Sequence, residues 1–336
     1  MKKWWINFSF LYLLSFIVIT MPAVKAEERV GFSVQAELPE NQRDQRVSYF
    51  NLQVEPNQEQ TLNITIYNHE NEEITVQGDI HNASTNSNGL VVYEEQEEID
   101  PSLENPMTEL VSLEASEWTI PAGESLTVTA ALEVLEEEFD GIKLGGFHFI
   151  KALSEEEMEN AGTIQNQYAY VIAIQLSQND DEVMPNLNFI NVKPGLVNHR
   201  TAIITEIQND QPILMGDLAI EAQVYRENEN EPLGEAQLSD AMMAPNSTME
   251  FVMDWNNRRL EVGKYRLEMI ADDGQESWEW QEAFEISEES EELNEEAVVL
   301  EAEENNNWLY IINIITLILF IIVLLIYIRK LKRNKE

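Results

Sequence analysis

The side chains that offer chemistry in this chain are mostly carboxylates, 62 Asp+Glu against 20 Lys+Arg. Two carboxylates can cleave a glycoside when they converge across a cleft and one is kept protonated. Acids this dense meet by chance, and no spacing selects a pair. The runs Glu136-Glu137-Glu138, Glu155-Glu156-Glu157 and Asp180-Asp181-Glu182 offer oxygens to calcium. None has the alternating Asp and Gly of a calcium loop, so they read as solvated faces. His69, His81, His148 and His199 are scattered, and cysteine is absent, which excludes the usual zinc sites. No nucleophile elbow, zinc-binding helix or Cys–His pair is present. The expectation is a protein without catalytic residues, metal or cofactor. The alternative is a cell-wall glycan hydrolase acting through paired carboxylates.

Two groups of residues suit binding better. Asn82, Ser84, Thr85, Asn86 and Asn88 lie in a stretch of amides and hydroxyls that runs to Tyr93. Such groups match the hydroxyls of sugars and the amides of stem peptides. The same stretch also reads as a loop with an Asn88-Gly89 hairpin turn. Trp278 and Trp280 are two apart, hence on one face of a strand. Exposed, they would stack on sugar rings or a partner's side chains. The reading favours burial, closing a core together with Trp255.

These residues must be held by β-structure. Leu62, Ile64 and Ile66 alternate with polar residues, as do the runs at 126–130, 251–255 and 265–269. A period of two places one face on a core and one in water. Turn signals such as Pro121-Ala122-Gly123 and Asp273-Gly274 separate the runs. The fold class expected is all-β, two consecutive Ig-like β-sandwich domains at 30–177 and 185–286. About eight strands are expected in the first and seven in the second, with a polar link at Gln178–Glu182. The acidic loop Ser154–Gly162 is placed inside the first domain, between the apolar runs 146–150 and 168–174; the rival placement makes it the domain boundary. Residues 287–307 are expected to form an acidic, solvated stalk.

The ends carry addresses. Lys2 and Lys3, an apolar run from Trp4, and Val24-Lys25-Ala26 read as a signal peptide over 1–26. Trp308–Ile328 is predicted to be a transmembrane helix, about 32 Å long and enough for a bilayer core. Arg329, Lys330, Lys332, Arg333 and Lys335 follow it. The positive-inside rule therefore makes 329–336 a cytoplasmic tail and leaves the rest outside a cell membrane that the chain spans once. Between residues 27 and 328 there are 12 Lys+Arg and 61 Asp+Glu, a net of −49. That charge repels nucleic acid and anionic lipid. It suits basic protein partners, divalent cations or plain solubility. An exported domain without disulfides rests on its hydrophobic core.

Several stretches together resemble the WxL-interacting proteins of Gram-positive bacteria. They include Phe32-Ser33-Val34, Leu38-Pro39-Glu40-Asn41-Gln42, Tyr49-Phe50 and Phe139-Asp140-Gly141-Ile142-Lys143-Leu144-Gly145-Gly146. Later come Val192-Lys193-Pro194-Gly195, Met243-Ala244-Pro245-Asn246-Ser247, Gly263-Lys264-Tyr265 and Trp278-Glu279-Trp280. The resemblance covers nearly the whole chain. It implies a peptidoglycan-binding first domain and a host-binding second domain. The implied partners are peptidoglycan, WxL-domain surface proteins and host extracellular proteins. A third reading is a membrane-held chaperone that hands partners to the wall.

Overall fold

The computed structural model describes residues 31–153 and 168–297. The expected signal peptide, the helix at 308–328, the basic tail and the loop Ser154–Gly162 lie wholly or almost wholly outside them. In the first domain the strands are β1 (Phe32–Glu37), β2 (Phe50–Gln53), β3 (Glu59–Asn68), β4 (Ile74–Asn82) and the two-residue β5 (Ser84–Thr85) and β6 (Val91–Val92). A single helical turn, α1 (Met107–Leu110), precedes β7 (Val111–Leu113), β8 (Glu117–Ile120), β9 (Ser125–Glu133), β10 (Lys143–Lys151) and β11 (Ala169–Ser177). One sheet runs β1-β3-β9-β7 and faces another that runs β2-β11-β10-β4-β8.

The alternation explains the packing. Leu62, Ile64 and Ile66 of β3 are buried, with Ala130 and Val128 of β9 opposite the first two. From the other sheet Phe147 and Phe149 of β10, and Ile172, Ile174 and Leu176 of β11, meet them in one core. The runs 146–150 and 169–174 pair antiparallel, Phe147 opposite Ile172. The far edge of β11 pairs with β2 in parallel, Ile174 opposite Phe50 and Leu176 opposite Leu52. Nothing in an alternating pattern announces that parallel ladder.

The second domain has seven strands. They are β12 (Leu187–Val197), β13 (Arg200–Asn209), β14 (Met215–Arg226), β15 (Gly234–Met243), β16 (Ser247–Asp254), β17 (Gly263–Asp272) and β18 (Ser277–Ile286). A three-stranded sheet, β12-β13-β16, packs on a four-stranded one, β15-β14-β17-β18. Trp255 lies buried in this core, edge-on to Tyr265 with ring centroids 6.5 Å apart.

The stretch expected as a solvated stalk begins differently. Glu288–Glu296 is a helix, α2. The Ser287 hydroxyl caps it by accepting from the Ser290 N–H, and Glu288, Glu289 and Glu291 sit in the first turn, where the helix dipole favours acid. Its Asn294 is buried, accepting from the Leu260 N–H at 2.7 Å and donating to the Leu260 carbonyl at 3.0 Å. Leu293 packs on the second core. A mostly charged segment is thus held by one amide and one leucine.

Both sandwiches use the same buried device at the end of a strand. Asn68, 3% exposed, donates to the carbonyls of Glu72, Ile120 and Pro121 and accepts from the Glu70 N–H. Asn209, 0% exposed, donates to the carbonyls of Ile213 and Ala244 and accepts from the Gln211 N–H. Each side chain replaces water for backbone groups that a loop leaves unpaired. Asn209→Ala strands those groups and is expected to destabilise the second domain by about 2–3 kcal/mol. Thermal unfolding of the variant checks this; an unchanged midpoint shows that the amide is dispensable.

Candidate functional site

The stretch Asn82–Tyr93 folds against the second domain instead of standing in water. The Thr85 hydroxyl lies 2.8 Å from that of Ser247 and accepts the Ala244 N–H at 2.9 Å. The Met242 N–H donates to the Gly89 carbonyl at 2.8 Å. Gly89 has φ of +67°, and a Cβ there would stand 2.4 Å from that of Ala241. A second glycine does the same work nearby. Gly141 has φ of +68°, a Cβ on it would meet the Pro212 carbonyl oxygen at 2.2 Å, and the next N–H, of Ile142, donates to that oxygen at 2.7 Å. Only a residue without a side chain fits either place.

Asp100 supplies the charge in this joint. Its carboxylate accepts from Thr248 Oγ1 at 2.6 Å and Gln208 Nε2 at 2.8 Å in the second domain, and from the Ser102 hydroxyl and N–H on its own loop. Burial pushes its pKa up, but the four hydrogen bonds outweigh that and hold it below the usual carboxylate range. Asn246 closes the set by donating to the Ser102 carbonyl at 3.0 Å.

The five polar residues singled out for sugar binding therefore divide. Asn82 and Thr85 are 5% and 7% exposed. Asn82 Oδ1 accepts from the Thr108 N–H, and the Thr85 hydroxyl is engaged as described. Asn86 Oδ1 accepts from the N–H groups of Asn88 and Leu90 to shape the turn. Ser84 is half-buried, and Asn88 alone is fully exposed. The stretch is a joint with a turn at its tip: the Thr85 hydroxyl and the Gly89 carbonyl find partners in the second domain, while Asn82 and Asn86 are engaged within the first. Asp100, Asn68 and Asn209 were not read as functional from the sequence, and Asn246 entered only within the stretch Met243–Ser247; the Asp100-Pro101-Ser102 turn signal is the trace that Asp100 leaves.

The outer face of the five-stranded sheet carries a hollow of about 330 Å³ beside this joint. Asp79, His81, Asn82, Glu94, Gln96 and Thr108 line it. His148 lies opposite Asp79 in the ladder, and its ring is 5.6 Å from that of His81. Burial first, and then His81, hold His148 below the ordinary imidazole range, opposed by Asp79 and Glu94. At neutral pH His148 is thus uncharged, able both to donate and to accept. At the small apolar cluster of Ala83, Leu144 and Ala244, burial and then Tyr49 push the Tyr93 hydroxyl up to about 12. The hollow presents the His81 imidazole, amides and carboxylates together, with His148 beside His81, a donor and acceptor set for a polar, uncharged or cationic ligand.

Trp278 and Trp280 are half-buried on β18, neither closed into the core with Trp255 nor fully exposed. Trp280 tilts against Phe189 of β12 with centroids 6.3 Å apart. They stop halfway because β18 is an edge strand with no neighbour on one side. Among the described residues no group of three or more His, Asp or Glu is placed to hold a metal ion.

Two joined sandwiches, the first with a polar hollow on its outer face, define a tandem β-sandwich protein. Residues 32–151 match the family model of the WxL Interacting Protein peptidoglycan binding domain, and 159–295 that of the WxL Interacting Protein host binding domain. The chain belongs to the WxL-interacting proteins. Both of its family domains are binding domains.

Among curated proteins no match is found. Three solved structures show a distant likeness. The PapD-like domain 7 of human CEP192 is 7% identical, with TM-score 0.29, over 48% of this chain and 94% of that one. The CupB2 chaperone of Pseudomonas aeruginosa is 13% identical, with TM-score 0.27, over 67% and 92%. The CsuC-CsuE chaperone–tip adhesion subunit complex of Acinetobacter baumannii matches at 11% and 0.31, over 68% and 93%. At these scores the likeness says nothing about function.

Proposed function

We propose that this protein is a membrane-held adaptor that grips peptidoglycan with its first sandwich and captures a WxL-domain surface protein or a host protein with its second. Signal peptide 1–26 exports it, Trp308–Ile328 anchors it and 329–336 remains in the cytoplasm. The reading is carried by the presence of both binding domains in one chain, in that order, joined by a hydrogen-bonded interface. A fixed joint lets a wall-bound first domain present the second at a constant orientation. Peptidoglycan is assigned to the hollow beside His81 and His148, whose amides and imidazole match sugar hydroxyls and peptide amides.

Sedimentation with purified wall sacculi tests the wall site. His81→Ala combined with Gln96→Ala is expected to weaken binding about tenfold, the worth of one or two hydrogen bonds. Both residues line an open hollow, so the fold is retained. Capture of a WxL-domain protein by the same variant stays at the wild-type level. Unchanged sedimentation removes the hollow from the account. Clearing of the wall in a zymogram would instead favour a hydrolase.

A further inference from the structure

The second sandwich has four edge strands, β12, β15, β16 and β18. An edge exposes a row of unpaired N–H and C=O groups that invite another strand, so natural sheets cover or blunt their edges. Three of these four are protected. The first domain covers one side, where β5 lies against β15 and β16 and Gly89 accepts from Met242. On the opposite side, β12 is blunted by Pro194, which has no N–H, and by a bulge at Ile190, and α2 packs against it.

Although β12 of the facing sheet packs along its core side, β18 has no proline, bulge or helix on its edge and no in-sheet neighbour there among the described residues. Its ten residues contain no Pro, Gly or Lys, and its ladder to β17 is unbroken from Ser277 opposite Asp272 to Ile286 opposite Gly263. Its two faces differ. Trp278 and Trp280 turn to the core side and stay half-exposed, with Phe189 beside Trp280. Glu279 and Glu285 turn to the outer face and are exposed. Ile270, 46% exposed, sits opposite both Glu279 and Glu221 on that face. In the antiparallel register centred on Glu282, a second copy of this strand would set Glu279 against Glu285, which disfavours self-pairing there.

We propose that the free edge of β18 receives an extended segment of a protein partner as a fifth strand. Its side chains alternate, apolar ones against Trp278, Trp280 and Phe189, and Lys or Arg against Glu279 and Glu285. Backbone pairing supplies the affinity, and the two faces supply the selection. This inference rests on the reading of the second sandwich as the partner-binding module.

The test uses the full-length protein and a fluorescent peptide of about ten residues alternating valine and lysine. The peptide binds and slows amide hydrogen exchange across 277–286. N-methylation of its alternate residues on the pairing side abolishes binding. Glu279→Lys with Glu285→Lys weakens the valine–lysine peptide about tenfold and creates binding to a valine–glutamate one. The proposal is overturned if exchange at 277–286 is unaffected, if the N-methylated peptide binds equally, or if the charge-reversed variant behaves like wild type. Slowed exchange there without peptide, rising with protein concentration, overturns it in favour of a second copy. If a WxL-domain protein is captured through the second domain while protecting a different strand, this edge is wrong and the division of labour stands. If capture survives deletion of the second domain, the division of labour itself is wrong.

Discussion

A fragment ending at Lys151 fails to fold, whereas one that continues to Glu182 melts cooperatively. The first family model stops at 151 and the second begins at 159, so a cut between them looks natural. The sheet disagrees. β11 lies beyond that cut, yet it pairs with β10 from Lys143 opposite Leu176 to Ile150 opposite Ala169, and with β2 on its other edge. Ile172, Ile174 and Leu176 are 5% exposed or less, and all belong to the first core. Losing three such side chains removes roughly 5–9 kcal/mol of burial, at about 1.5–3 kcal/mol each. A domain's whole stability is about 5–15 kcal/mol. Beyond that loss, β2 is left without a neighbour on its only laddered side, and Phe50 and Leu52 lose their cover. The link past β11 adds support, because Arg43 pairs with Asp180 and the Asn179 amide donates to Asp140. Circular dichroism melts of fragments 31–151 and 31–182 decide the matter. Equal midpoints would mean that β11 is an accessory of the first sandwich.

Acid, or the substitution Asp100→Ala, is expected to open the angle between the two domains while leaving each sandwich folded. Asp100 alone binds Thr248 and Gln208 across the joint with a full negative charge. Hydrogen bonds to a charged group are worth about 1.5–3 kcal/mol, and the substitution also leaves two donors partly buried without acceptors. The sign of the pH effect follows from the direction of its shift. Its pKa is lower in the folded joint than in the free chain. The joint therefore has its full strength above the ordinary aspartate value and loses it as pH falls through the lower folded one. Gly89→Val reaches the same open state by a steric route, since its side chain would collide with Ala241. Small-angle scattering at neutral and acid pH measures the effect. Wild type widens only in acid, and Asp100→Ala is already wide at neutral pH with no further acid step. A scattering profile identical for both proteins would show that the joint holds without the carboxylate.

The alternation of apolar and polar residues was enough to read the class of fold. Burying Leu62, Ile64 and Ile66 is a local demand that each strand states for itself, and the order of motifs such as Phe139–Gly146 was enough to place the chain in its family. The boundaries of use were less legible. Asn82 and Thr85 look like surface binding residues because a loop of amides and hydroxyls normally faces water. Thr85 is buried because Ser247, 162 positions away, brings a matching hydroxyl. Trp278 and Trp280 could be read as core or as surface, and they are half of each because β18 has a neighbour on one side only. Likewise a run of glutamates promised a free stalk until Asn294 found the Leu260 backbone. In each case the local pattern states what a side chain can do, whereas its partner comes from a distant part of the chain. Whether a polar group is spent on folding or left for a ligand depends on that partner, so only the tertiary structure decides it.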